Sequence, residues 1–421
     1  MHMDNQKNYS AVILGGGIAG ISVALELARQ GHDVALVEKT PFFGGRAAHL
    51  CCKATDTCQK CGACLVDERL HALFQEPRIT LLPATELTEV ARENRGFRLR
   101  LTRQPQVISP ERCVNCGLCY DECPAAGQGA IVTTTVTQNH PRYAVNPEAC
   151  LYFQDGSCRV CAQICPPTAR AVDLTRPGQT LDLTADAVIV ATGFTPSDPA
   201  SRPHYGYGHL PQLITAFELE EMLRNGAGPP GREGRLPRRF AFIQCVGSRD
   251  RQHPYCSQVC CAYTLRLARL LKHRRPEAEV TTFYMDLQNI GRHATRFQDE
   301  AQREVKMLRA LPGDLKAAAD GGVTLRYLDE ETGRALEATF DQVVLAVGIT
   351  PGDDNAALAA ILNLELSPEG FFRAADQRHR SLTAQPGLFL AGTAEGPRDI
   401  AGCITQAMAT ARQVSQYVKA R

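Results

Sequence analysis

Eighteen cysteines stand among 421 residues, and seventeen of them fall into four close groups. Residues 113–124 read CVNCGLCYDECP, a C-x2-C-x2-C-x3-C-P run. Cys150, Cys158, Cys161 and Cys165, the last followed by Pro166, form a second run with a longer first gap, C-x7-C-x2-C-x3-C-P. Soft thiolates at this spacing suit iron–sulfur cubes: three wrap one cube, and the fourth of each run ligates the other cube. The expected ligands of one 4Fe–4S cluster are Cys113, Cys116, Cys119 and Cys165. Those of the second are Cys123, Cys150, Cys158 and Cys161. A zinc ribbon is the competing reading, because zinc also takes four thiolates. A disulfide scaffold is disfavoured. The N-terminus, MHMDNQKNYS, lacks the apolar core of an export signal, and reducing compartments do not keep disulfides.

Cys245, Cys256, Cys260 and Cys261 make the third group, C-x10-C-x3-C-C. Adjacent cysteines are poor disulfide partners and an unusual zinc pattern, so a further cube is expected. A redox dithiol is the alternative, but it usually takes the form C-x2-C, which this group lacks. The fourth group is CCKATDTCQKCGAC, residues 51–64. Cys58, Cys61 and Cys64 repeat C-x2-C-x2-C, with Cys52 or its neighbour Cys51 as the fourth ligand. Another cluster is expected there, against zinc or a vestigial site. Cys403 stands alone in an apolar stretch and reads as a small buried hydrophobe.

The elements that position these groups have an α/β pattern. The apolar run YSAVIL leads into Gly15-Gly16-Gly17-Ile18-Ala19-Gly20, then an amphipathic stretch, then DVALVE ending at Glu38. Gly15, Gly17 and Gly20 allow a tight turn, close backbone approach and helix packing. A pyrophosphate would sit on the helix N-terminus, and Glu38, followed by Lys39, would meet a ribose. The bland reading is a glycine turn with no nucleotide. Residues 186–198, DAVIVATGFTPSD, recur as 341–353, DQVVLAVGITPGD. Two related αβ domains, each closed by the same strand, are expected. The second domain opens with RRFAFIQC and should lead into another glycine fingerprint. It leads instead into CVGSRDRQHPYCSQVCC, so NAD(P)H is not expected as a direct donor.

Lys+Arg 46 against Asp+Glu 45 leaves a net charge of +1, which argues against a nucleic-acid binder. No apolar run approaches the roughly 20 residues of a membrane span. A cytoplasmic protein, reaching a membrane only through a partner, is expected. The histidines show no metal-ligand spacing, and no paired carboxylates suggest hydrolysis. The basic run RLARLLKHRR, residues 266–275, is expected to complement a helix C-terminus; docking of an acidic redox partner is the alternative.

Gly44-Gly45-Arg46 resembles the segment that lines FAD in flavoproteins with two dinucleotide-binding domains. The strand ending at Ala191-Thr192-Gly193 and the segment LFLAGTAEGPRDIAGC, with Gly392 and Thr393, are similar to the parts of thioredoxin-reductase-like flavoproteins that return to the flavin. Those proteins carry an acid where Thr393 stands; Asp399 lies nearby. With the doubled ferredoxin-like run and FIQCVGSRD…YCSQVCC, nearly the whole chain resembles the HdrA component of heterodisulfide reductase and its relatives. Among these are the corresponding subunits of benzoyl-CoA reductase complexes and of the quinone-interacting membrane-bound oxidoreductase. The segment MDLQNIGRHATRFQDEAQREVKMLRALPGD resembles the quinone-interacting type.

The resemblance implies FAD, 4Fe–4S clusters and a role as an electron-transfer subunit, with the flavin converting between two-electron and one-electron steps. It implies partner subunits and redox proteins, and it allows a homodimer. Longer members carry a C-terminal ferredoxin extension not present in these residues, so one docking route is expected to be missing. The expected fold is two dinucleotide-binding-type domains with an inserted two-cluster module. The flavin domain takes 1–105, 175–236 and 356–421, the insert 106–174 and the second domain 237–355. The rival reading is a self-sufficient NAD(P)H-dependent oxidoreductase resembling the small subunit of glutamate synthase.

Overall fold

The computed structural model describes residues 8–94, 96–134, 142–226, 228–231, 235–288, 294–330 and 332–421. Residues 289–293, within the segment that resembles the quinone-interacting type, lie outside them.

The first sheet is built on a parallel core. Strand Asn8–Leu14 pairs with Val34–Val37 on one side and Gln179–Val190 on the other, and Ile79–Leu82 and Leu388–Leu390 extend the parallel set. Helices Ile18–Arg29, Ala63–Gln75 and Ile400–Lys419 pack on one face over Ile13, Leu36 and Ile189. The opposite face buries Val12, Leu99, Val188 and Phe372. Its central strands are apolar on both faces, as strands covered on both sides must be. Gly96–Arg103 and Thr85–Glu93 add an antiparallel edge.

The cysteine-rich insert leaves the sheet after Gly96–Arg103 and returns into Gln179–Val190, the strand paired with it. Its ends are tied together: Ser109 N–H donates to Ala171 O, and Asp173 N–H to Val107 O. Inside is a hairpin of Ile131–Thr133 and Tyr143–Val145, and a core of small and apolar residues including Cys150 and Cys161.

The second sheet is parallel, in the order Leu213–Thr215, Gln342–Val347, Arg239–Val246, Glu279–Tyr284, Lys306–Arg309. Thr215 opens helix Ala216–Arg224 with a reciprocal capping box to Glu218. The two copies of the repeat seen in the sequence are interior strands, one in each sheet. The two copies then meet, Ile349–Thr350 pairing antiparallel with Thr195–Pro196 so that Thr350 faces its counterpart Thr195.

A second link is buried. Residues 51–53 follow the flavin-type loop but enter the core of the second domain, where Cys51 packs with Phe242 and Leu267. Lys53 Nζ lies 2.5 Å from Glu220 Oε1, with the two side chains 1% and 2% exposed. Cys51 N–H donates to the same oxygen, 2.6 Å away. Lys53 also sits over the Tyr263 ring.

The basic run lies in helix Cys260–Arg274, and its charges are engaged. Lys272 donates to the carbonyls of Pro276 and Ala278, Arg274 to that of Leu223, and Arg269 pairs with Glu300 and Glu304. No helix among the described residues is long and apolar enough to cross a membrane.

Replacing Lys53 by Met leaves Glu220 buried and unpaired, and the unfolding free energy should drop by about 3–5 kcal/mol. Adding Glu220→Leu should restore much of the loss. Denaturant midpoints of the three proteins check this; equal midpoints for the first two would show that the pair carries nothing.

Candidate functional site

The first glycine turn has the conformation that its residue types require. Gly15 has φ +110°, and a Cβ there would lie 2.3 Å from Ala191 O. A Cβ on Gly20 would lie 1.9 Å from Gly15 O, so the helix can pack on the turn only with glycine. A Cβ on Gly17 would meet nothing within 4 Å, which leaves an open approach at the helix N-terminus. Gly44 pairs with Gly17 in a parallel bridge, and its N–H donates to Gly16 O. Gly45 stacks against Gly17. Arg46 donates to Phe194 O and lies over the Phe194 ring.

Gly392, on the returning segment, touches Ala19 of the first helix, and its N–H donates to Gln406 Oε1. Thr393 is buried beside it. Thus Gly15, Gly17, Gly20, Gly44, Gly45, Arg46, Ala191, Gly392 and Thr393 converge at the carboxyl ends of the first sheet, the crevice where α/β sheets take nucleotides. Thr192 and Gly193 follow directly from the strand. Thr192 Oγ1 is buried there and has no partner. An orphaned hydroxyl beside an open helix N-terminus fits a phosphate- and hydroxyl-rich ligand such as FAD.

Two expected contacts take another form. Glu38 is buried and braces the turn: Gly16 N–H donates to Oε2, and Thr40 N–H and Oγ1–H donate to Oε1. Burial pushes its carboxyl above the ordinary carboxylate range, against these hydrogen bonds. Oε1 is saturated by its two bonds, and Oε2, which accepts one, keeps a second lone pair for a ribose. Asp399 caps the final helix, accepting from Gly402 N–H, and so does not stand in at Thr393. Lys39 pairs with Asp354 at the surface.

The thiols gather by group. Cys113, Cys116, Cys119 and Cys165 line one apolar cavity with Ile108 and Tyr143. Cys161 is close enough to Cys150, Cys158 and Cys123 for their charges to raise its pKa, as is Cys119 to Cys113, Cys161 and Cys116. The cavity brings Cys165 of the second run to Cys113, Cys116 and Cys119 of the first, and Cys123 of the first run lies near Cys161 of the second. Cys260 is likewise near Cys245, Cys261 and Cys256.

Burial first, then neighbouring thiols, pushes Cys119 to about 12 and Cys161 to about 11. At Cys245 burial leads again, with Cys261 next, and the thiol rises to about 12. Such thiols hold their protons at neutral pH unless a metal displaces them. Among the described residues no three His, Cys, Asp or Glu side chains crowd about one point as ligands of a single ion. A cube spreads its four thiolates over four different irons.

Local backbone shapes these loops. Asn115 at φ +55°, Gln258 at φ +59° and Cys245 itself at φ +60° are left-handed without being glycine. The strand carrying Cys245 bulges between Ile243 and Val246, which redirects this residue. Gln258 N–H donates to Cys256 Sγ at 3.2 Å and Ala171 N–H to Cys165 Sγ at 3.2 Å, contacts that tune a ligated sulfur. Ser257, fully buried, holds this loop to Ser248 and to Ile349 N–H. Sequence reasoning missed Gln406, Ser257 and the left-handed residues; only Asn, at Asn115, carries a hint of that conformation.

Residues 10–207 match the family model described as FAD dependent oxidoreductase. The chain is 32% identical, over 97% of its length, to the second iron–sulfur HdrA protein of the CoB–CoM heterodisulfide reductase of Methanopyrus kandleri. It is 33% identical, also over 97%, to the corresponding HdrA protein of the H(2):CoB-CoM heterodisulfide,ferredoxin reductase of Methanothermobacter thermautotrophicus. It spans 64% of the length of each of these two proteins. Among solved structures, thioredoxin reductase from Lactococcus lactis superposes with TM-score 0.53 at 14% identity, covering 98% of this chain and 100% of that one. Bacillithiol disulfide reductase from Bacillus cereus does so at 0.53 and 13%, covering 99% and 100%. These last two establish the fold, two dinucleotide-binding-type domains.

Alanine at Gly15 combines a left-handed φ with a clash against Ala191 O. It should weaken FAD binding about tenfold or more, since 1–2 kcal/mol of strain suffices for that. Flavin absorbance per chain, with circular dichroism confirming the fold, is the measurement; full flavin in the variant would remove the turn from the site. On the turn, the returning segments and these comparisons together, nearly the whole chain is similar to the HdrA proteins of heterodisulfide reductases over 64% of their length, and residues 10–207 are similar to FAD-dependent oxidoreductases.

Proposed function

We propose that this chain is the FAD- and 4Fe–4S-containing electron-transfer subunit of a heterodisulfide-reductase-like oxidoreductase complex. One observation carries the reading. In the second domain the end of strand Arg239–Val246 and the first residues of helix Cys260–Arg274 are where a nicotinamide pyrophosphate would rest. That place holds Cys245, Cys256, Cys260 and Cys261. Of the first domain's turn glycines only one has a counterpart there, Gly247, which follows its strand as Gly15 does; the positions of Gly17 and Gly20 have none.

Bound FAD supplies exchange between two-electron and one-electron transfer, and each cube carries one electron. The residues of the chain set where these groups sit and how they are tuned. Gly15, Gly17, Gly20, Gly44 and Gly45 admit the dinucleotide backbone, with Thr192 Oγ1 free to hydrogen-bond it. The Cys113 and Cys123 sets hold two adjacent cubes, with Cys119 near Cys161 across the pair. Arg249, paired with Asp286, faces Cys245 and Cys256 and offsets the negative charge of a cube in the third set.

We assign the insert to 106–174 and the flavin domain to 1–105, 175–212 and 356–421; the boundary drawn at 236 from the sequence moves to before Leu213, because strand Leu213–Thr215 pairs in the second sheet, and the second domain takes 213–355. Donors and acceptors are partner subunits of the complex, of the heterodisulfide-reductase or quinone-interacting kind. The chain works in the cytoplasm and reaches a membrane only through them.

Anaerobic stopped-flow mixing with NADH and with NADPH tests the reading. The flavin should stay oxidised with either nucleotide; rapid bleaching by one of them, without a partner protein, would establish the self-sufficient enzyme instead. Cys260→Ser should remove about four irons and keep FAD. Unchanged iron would overturn the third set.

A further inference from the structure

We propose that the loop 58–64 holds a further 4Fe–4S cube on Cys58, Cys61 and Cys64, with Cys52 as the fourth ligand. The proposal rests on the reading that the other thiol loops hold cubes, and extends it to a segment that the function above does not use.

The loop is built like the ligand loops already described. CQKCGAC, 58–64, and CVNCGLC, 113–119, share their spacing and a central glycine. They also share backbone. Two residues after the first cysteine, Lys60 has φ +51° and Asn115 φ +55°. Four residues after it, Gly62 has φ +81° and Gly117 φ +88°. Each glycine is then the N-cap of a helix, Ala63–Gln75 or Leu118–Asp121, that carries the third cysteine in its first turn. Helix N-termini favour the negative charge of a thiolate-bound cube.

The loop also shares a feature with the third set. Lys60 N–H donates to Cys58 Sγ at 3.4 Å, as Gln258 N–H does to Cys256 Sγ. A left-handed lysine is strained, and strain of this kind persists where a site needs it. Cys58 and Cys64 are exposed, but so is Cys116.

Two further observations point to a ligand. Gln59 is 7% exposed, and neither its Nε2 nor its Oε1 has a partner. A buried amide is costly in that state, and the sulfides of a cube accept an N–H. Arg266 donates to Gln59 O at 3.0 Å and faces Cys61 and Cys58, an arginine beside two thiols as Arg249 is at the third set.

The fourth ligand follows from the neighbours. Cys51 is buried in the second core, where its N–H donates to Glu220 and its side chain packs with Phe242 and Leu267. Cys52, next to it, is exposed. The place suits a one-electron station. Gly62 packs on Ile400, at the start of the helix that follows Gly392 and Thr393. Arg266 is on the helix that begins with Cys260 and Cys261.

Full-length protein purified without oxygen and reconstituted with ferrous iron and sulfide should hold about 16 irons per chain, four per site. The double variant Cys58→Ser/Cys61→Ser should hold about 12. Its flavin per chain should be unchanged, and about one spin per chain should be lost after dithionite reduction. Cys52→Ser should lower the iron count, and Cys51→Ser should not. About 12 irons in the parent protein, or no change in the double variant, overturns this site and leaves the three-cluster reading standing. So does one zinc per chain beside about 12 irons. A parent protein without iron removes both.

Discussion

A parallel sheet offers one place where negative charge can be held cheaply: the crevice beyond the carboxyl ends of its strands, where helix N-termini point. Both sheets of this chain have that place, lined with different residues. In the first, glycine removes side chains so that a dinucleotide can lie against backbone N–H groups. In the second, Cys260 and Cys261 begin the equivalent helix and Cys245 comes off the equivalent strand. A pyrophosphate and a thiolate-bound cube both want the positive end of the helix, and one helix cannot serve both. On the proposed reading, the four cysteines and the missing second glycine fingerprint are one choice of ligand rather than two separate features.

The candidate ligand runs were legible in the sequence because they are local. A C-x2-C-x2-C spacing or a glycine turn is read within a dozen residues, and the structure gathers Cys113, Cys116 and Cys119 with distant Cys165 as the doubled pattern requires. The repeat at 186–198 and 341–353 was visible for the same reason. What it builds was not: the pairing of Thr195 with Thr350 depends on how two domains meet. Lys53 reads as one surface lysine among many, yet it is 1% exposed because Glu220, in another domain, waits for it. Glu38 was expected to face a ribose, and its brace on Gly16 and Thr40 shows only once the loop is folded. Asp399 was nearby in sequence but serves its own helix.

The two links between the domains differ in kind. The pairing of Thr195–Pro196 with Ile349–Thr350 is backbone hydrogen bonding and tolerates side-chain change. The link through residues 51–53 is electrostatic and buried, and it depends on both partners. Two full charges out of water are stable only when satisfied together, and here Lys53 Nζ, Cys51 N–H and Glu220 meet at one oxygen. Such a pair adds little net stability, but it is unforgiving of displacement. It fixes where the chain re-emerges toward Cys58, between the flavin crevice and the helix of Cys260.

The insert poses a different problem, since its core is small and contains its own cysteines. Its entry and exit lie on paired neighbours of the first sheet, Gly96–Arg103 and Gln179–Val190, so the host loses no hydrogen bond by opening there. Adjacent strands are about 5 Å apart, which makes the closing of the inserted loop inexpensive. The insert itself has Val107, Ile108, Ile131, Val145 and Leu174 as its larger buried apolar residues, with alanines and cysteines filling the rest. A body of this size needs a staple beyond hydrophobic burial. The thiols that would carry electrons are packed in that core, with Cys150 and Cys161 buried and Cys119 lining the cavity. On the proposed reading ligation and folding are the same event: metal would replace protons on thiols that burial has made reluctant to ionise, and the energy of those bonds would hold the module on its sheet.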